Sequence, residues 1–119
     1  MSEQIIELSA AELAGRLAAG EVSSVDAVQA HLDQIEATDG AALDASDRSR
    51  GTDGLNAFLH RNTEEALRVA REVDEARARG EELPELAGVP VAVKDLIVTK
   101  GQPTTAASRG ASATAASAA

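Results

Sequence analysis

A lysine serves as a base only where its ammonium is made to give up a proton, and Lys94 stands where a chain can arrange that. Val89, Val91 and Val93 alternate with Pro90, Ala92 and Lys94. This is the period of two expected of a strand whose successive side chains point to opposite faces. One face is β-branched and the other small. Pro90 donates no backbone hydrogen bond, so it belongs at the start of the strand or on an exposed edge. Lys94 then ends the strand. With its stem enclosed and its ammonium desolvated, its pKa would fall and a neutral amine would become available. The plainer reading has Lys94 reaching water beside Asp95, because lysine is seldom fully buried.

The other chemistry-bearing residue types point elsewhere. His31 falls in a helical stretch and His60 ends an extended one, and no spacing pairs them as metal ligands. Asp39, Asp44, Asp47 and Asp53 crowd one polar loop, but the Asp-x-Asp-x-Asp-Gly pattern of a calcium loop is absent. Cysteine is also absent, so there is no thiolate metal site and no disulfide framework. Metal ligands and cofactor-binding residues are therefore both read as none. Thr104, Thr105 and Ser108 follow Pro103 and read as an ordinary loop with local hydroxyl-to-backbone bonds.

The elements that must position Lys94 are mostly helical. Ser9-Ala10-Ala11-Glu12 has capping-box spacing and Leu13 and Leu17 follow, predicting a helix from about Ala10 to Ala18 that ends at Gly20. Ser23-Ser24-Val25-Asp26 repeats the device, and Val25, Val28, Leu32 and Ile35 recur at helical spacing to about Ala37. Residues 38–54 read as a polar loop with two Asp-Gly pairs. Leu55 to Leu59 reads as a short strand or an extended entry to a sheet. Asn62 or Thr63 caps a third helix with Ala66, Leu67, Ala70 and Val73 on its apolar side and charge around the rest, including Asp74; Gly80 lies beyond its end.

The spelling Gly88-Val89-Pro90-Val91-Ala92-Val93-Lys94-Asp95, with Thr99-Lys100-Gly101 and Thr104-Thr105-Ala106-Ala107-Ser108 after it and Leu55-Asn56-Ala57-Phe58-Leu59 before it, resembles the amidase signature family. Within that family it looks most like the A subunits of glutamyl-tRNA(Gln) amidotransferases, over about residues 5 to 109. The resemblance implies an incomplete α/β fold. This chain would supply amino-terminal helices and the lysine-bearing core strand of the mixed sheet. It also implies glutamine hydrolysis in the complete subunit. There Lys94 would be the base of a triad of serine, cis-serine and lysine, and the ammonia would serve conversion of Glu-tRNA(Gln) to Gln-tRNA(Gln). The same resemblance implies other amidotransferase subunits as partners, with ATP and Mg2+ at one of them and no cofactor bound by this chain.

The family's catalytic serines lie in a Gly/Ser-rich segment, and no Gly-Gly-Ser-Ser-Gly-Gly-like run occurs in the 119 residues. The chain alone is therefore expected to be inactive. Residues 1–109 read as the amino-terminal part of an amidase-signature domain and 110–119 as a disordered Ala/Ser tail, from a truncation or frame change near Arg109. The alternatives are a piece of another amidase-signature amide hydrolase and a non-enzymatic remnant.

Composition bounds these readings. A net charge of −9 disfavours contact with a phosphate backbone, so tRNA would be held through a partner. Phe58 is the single aromatic residue, leaving any core to aliphatic and alanine side chains. No apolar run is long enough for a signal peptide or a membrane span, and a cytoplasmic chain is expected.

Overall fold

The computed structural model describes residues 2–39, 54–55, 57–102 and 104–105. Four helices occur among them: α1 (Ser2–Ile6), α2 (Ala10–Ala18), α3 (Ser24–Asp39) and α4 (Thr63–Ala78). The chain forms two compact units, residues 1–35 with 63–91 and residues 36–62 with 92–119.

Helix starts and stops in the first unit follow from local chemistry. Ser9 N–H donates to Glu12 Oε2 at 2.8 Å and Glu12 N–H donates to Ser9 Oγ at 3.2 Å, closing the capping box of α2. The Ser9 N–H holds the Glu12 carboxyl below its ordinary range. At the other end, Glu21 N–H donates to Arg16 O and Gly20 N–H to Leu17 O. The same pair of bonds, Glu81 to Ala76 and Gly80 to Arg77, ends α4. Both are Schellman closures, which satisfy carbonyls that the last turn leaves open. On the exposed side of α4, Arg68 pairs with Glu65 at 2.6 Å and with Glu72, the solvated face its sequence predicts.

The N-terminus of α3 is capped twice. Asp26 N–H donates to Ser23 Oγ at 3.0 Å, as the local spacing predicts. Ser24 and Val25 N–H donate to Asp74 Oδ1 and Oδ2 at 2.7 and 3.1 Å. Asp74 thus belongs to a helix cap and not to the solvated face expected of it. A carboxylate at the positive end of a helix dipole makes charge-assisted bonds. We expect Asp74→Ala to cost about 2 kcal/mol in urea denaturation and Asp74→Asn, which keeps one acceptor, about half as much; equal and negligible losses would refute the cap.

The core of this unit gathers Ile5, Leu13, Leu17, Ala27 and Ala30, with Ile6, Leu8, Val22 and Val89 against them. Val89 is half-buried against this core, whereas Val91 and Val93 of the same alternating set are exposed. In α3 the most buried apolar positions are Ala27, Val28 and Ala30, whereas Val25, Leu32 and Ile35 are half-buried. In α4 they are Ala70 and Ala76, while Val69 is exposed. Without aromatic side chains to fill space, small residues stand at the closest approaches. Helix α1 is not anticipated by the sequence pattern: five residues carry too little periodicity, yet Ile5 anchors it in the core.

Gly88 sets the entry of Val89. It ends a turn in which Ala87 N–H donates to Pro84 O and Val89 N–H to Leu86 O. Its φ of +93° lies in the region that favours glycine, and a Cβ there would stand 2.3 Å from Ser24 Oγ.

In the second unit, Leu55 N–H donates to Thr38 O at 2.9 Å and Ile97 N–H to Lys94 O at 2.9 Å, the latter closing a turn after Lys94. No strand occurs among the described residues. Residues 89–94 carry strand alternation, but a strand exists only with a ladder partner, and Val91 and Val93 are 78% and 49% exposed. Leu55, Ala57, Phe58 and Leu59 are likewise irregular. The expected tail at 110–119, with Asp44, Asp47, Asp53 and Ser108, lies outside the described residues.

Candidate active site

Two aspartates fix the local backbone around Lys94. Asp95 accepts from Thr105 N–H at 2.9 Å through Oδ1 and from the Thr105 hydroxyl through Oδ2. Thr105 is only 1% exposed, so the bond pins the 92–97 segment to a buried anchor. The second aspartate is Asp39, 2% exposed at the last position of α3. It accepts from Ala57 N–H through Oδ1, and through Oδ2 from Phe58 N–H at 3.1 Å and Arg61 Nη2 at 3.3 Å. Burial pushes its carboxyl up, but the Ala57, Phe58 and Arg61 donors outweigh burial and hold it below the ordinary carboxylate range.

Ala57 and Phe58, held by Asp39, and Asp95 with Thr105 line one open depression of about 410 Å³. Ala57 to His60 supply one stretch of its lining and Ala92 to Asp95 another, with Ile97, Thr99, Gln102 and Thr105 completing it. Lys94 is exposed. Its side chain stands in that lining beside the apolar Val93 and Ile97 and the hydroxyl-bearing Thr99 and Thr105.

The remaining candidates separate cleanly. His60 is exposed and lines the same depression. His31 sits in α3 with Nδ1 2.7 Å from Ala27 O, a contact within its own helix. Ser9, Glu12 and Ser23 are occupied as helix caps. Thr104 Oγ1 is buried without a hydrogen-bond partner among the described residues. No group of three or more acidic, histidine or cysteine side chains suited to a metal occurs among the described residues, and no helix there is long and apolar enough to cross a membrane.

Sequence reasoning misses Asp39 by grouping it with the loop aspartates. A signal is present: a carboxylate at the negative end of a helix dipole is unfavourable unless donors reach it, and Arg61 lies downstream.

A family model described as Amidase matches residues 43–118, spanning the Lys94 depression and more than half of the chain. The chain belongs to the amidase family. Among curated members, the glutamyl-tRNA(Gln) amidotransferase A subunit of Renibacterium salmoninarum is 60% identical over 106 residues, covering 89% of this chain and 18% of the relative. The same-named proteins of Paenarthrobacter aurescens and Thermobifida fusca are 54% and 48% identical, over 92% and 89% of this chain and 19% of each relative. This amidase chain thus spans under a fifth of the length of the relatives it matches. No solved structure matches it.

Proposed function

We propose that this chain is the amino-terminal, lysine-bearing part of a glutamine-hydrolysing subunit of a tRNA-dependent amidotransferase, with Lys94 as its base. The observation that carries the reading is the 60% identity to the R. salmoninarum amidotransferase protein across 106 residues, in a chain whose Gly88-to-Asp95 segment has the family spelling. In the reaction, a serine hydroxyl supplied by the remainder of the subunit attacks the side-chain amide carbon of glutamine. Its proton passes through a second serine to the Lys94 amine, and the departing nitrogen takes up a proton and leaves as ammonia. Water then releases glutamate from the acyl-serine. In this reading residues 89–94 become a strand of the α/β family sheet once the remainder supplies the neighbouring strands. Ammonia passes to a partner subunit, where ATP, Mg2+ and the tRNA act. The charge of −9 supports keeping tRNA off this part.

A chimera tests the reading. Residues 5–105 of this chain replace the matching stretch of the R. salmoninarum relative, and ammonia release from glutamine is measured in the assembled complex. We expect activity within about tenfold of the parent, a barrier change of at most ~1.4 kcal/mol. A folded, assembled chimera that releases no ammonia, or that hydrolyses other small amides in preference to glutamine, would overturn it.

A further inference from the structure

We infer that Asp39 is a positioning residue of the Lys94 site, holding in place the stretch of chain that forms one side of its depression. The geometry is specific. Ala57, Phe58, Leu59 and His60 line the depression as four consecutive residues. Asp39 accepts from backbone N–H groups of Ala57 and Phe58 at the start of that stretch and from the Arg61 guanidinium immediately after it. One buried carboxylate therefore brackets the lining at both ends.

The placement of Asp39 needs such a role to explain it. A carboxylate 2% exposed at the C-terminal residue of a helix sits against the negative end of the dipole. Three donors converge on it there, all from residues 57–61, and residues 57–60 line the same depression as Lys94. Asp95 does the corresponding work on the Lys94 side, through Thr105. Two carboxylates thus hold the lining, Asp39 from the end of α3 on residues 57–61 and Asp95 from within the other stretch. A base needs its proton donor within hydrogen-bond reach, so displacement of the 57–60 stretch degrades the site without touching Lys94 itself. The consequence for catalysis rests on Lys94 acting as the base; the bracket itself does not.

The test is nuclear magnetic resonance on the isotope-labelled 119-residue chain, as wild type, Asp39→Asn, Asp39→Ala and Arg61→Lys. In the wild type, the Ala57 and Phe58 amides are expected to be protected from hydrogen exchange. Asp39→Asn should lower that protection at least about tenfold and move the Lys94 side-chain Cε and Nζ signals, leaving those of Leu13 and Leu17 in place. Arg61→Lys, which keeps a cation but not the planar fork, should produce the same pattern more weakly. It keeps the proposal testable if Asp39→Ala fails to fold. Unprotected Ala57 and Phe58 amides in the wild type would overturn the bracket. Loss of their protection with unmoved Lys94 signals would make Asp39 structural only. Neither result depends on ammonia release, so failure here is distinct from failure of the chimera.

Discussion

Replacing Lys94 by alanine in the chimeric subunit is expected to lower ammonia release from glutamine by about 10²- to 10⁴-fold, the range by which a positioned general base accelerates proton transfer. On the proposed reading, in which the amine takes the proton of the attacking hydroxyl and does not bind the glutamine, the loss should fall on kcat, with KM little changed. Lys94→Arg should fail almost as completely. A guanidinium keeps the positive charge but does not deprotonate in a protein, so it preserves electrostatics while removing the base. Folding supplies the control. Lys94 is exposed, so Lys94→Ala in the 119-residue chain should change stability by no more than about 0.5 kcal/mol. A catalytic loss accompanied by an equally large loss of stability would point to a structural lysine. Retained activity in Lys94→Arg would refute its role as base.

Gly88→Ala should destabilise the chain by about 3 kcal/mol. Two costs combine. The backbone holds φ +93°, which an L side chain rarely adopts, and the new Cβ would meet Ser24 Oγ at 2.3 Å, Ser24 Cβ at 3.1 Å and Leu17 Cδ1 at 3.3 Å. Neither neighbour can yield easily, since Ser24 and Leu17 are each 0% exposed. Gly80→Ala separates the terms. Its φ is +72°, but a Cβ there meets nothing within 4 Å, so only the backbone cost of about 1 to 2 kcal/mol remains. Ser24→Ala should restore part of the loss when combined with Gly88→Ala, because it removes the closest atom. Equal losses for Gly88→Ala and Gly80→Ala in chemical denaturation would show that the close approach to Ser24 has no energetic weight.

Local chemistry makes most of the helices legible. Ser9 and Glu12 stand three residues apart and bond reciprocally, so the start of α2 is written in four residues. Gly20 and Gly80 mark the ends of α2 and α4 for the same reason: the closing bonds reach back only a few residues. The carboxylate-to-backbone bonds that the sequence does not disclose are long-range. Asp74 reaches amides 49 and 50 residues away and Asp39 reaches amides 18 and 19 residues away, and no sequence periodicity encodes such pairs. The buried face of α3 also differs from its pattern. Valine and leucine at helical spacing outweigh alanine in any hydropathy pattern, yet close packing places Ala27 and Ala30 innermost.

For the site, physical pattern and family spelling carry different loads. The alternation of Val89, Val91 and Val93 is legible, and Val89 does pack against the core. A ladder is not, because strand pairing is a property of two segments and one alone does not specify it. Lys94 as a base comes from the family spelling of residues 88–95; charge and exposure by themselves describe a lysine in water. What the fold adds is the pair of aspartates that hold the two stretches of lining, which neither the motif nor the composition discloses.

The most direct measurement is recovery of ammonia release in the Lys94→Cys chimera after aminoethylation of the new thiol, which rebuilds an amine on a side chain of nearly lysine length. Unmodified Lys94→Cys should be as depleted as Lys94→Ala, and treatment should restore a substantial fraction of activity while leaving Lys94→Ala unchanged. An untreated Lys94→Cys chimera with parental activity, or a quantitatively aminoethylated one that stays inactive, would contradict the assignment of the base to this lysine.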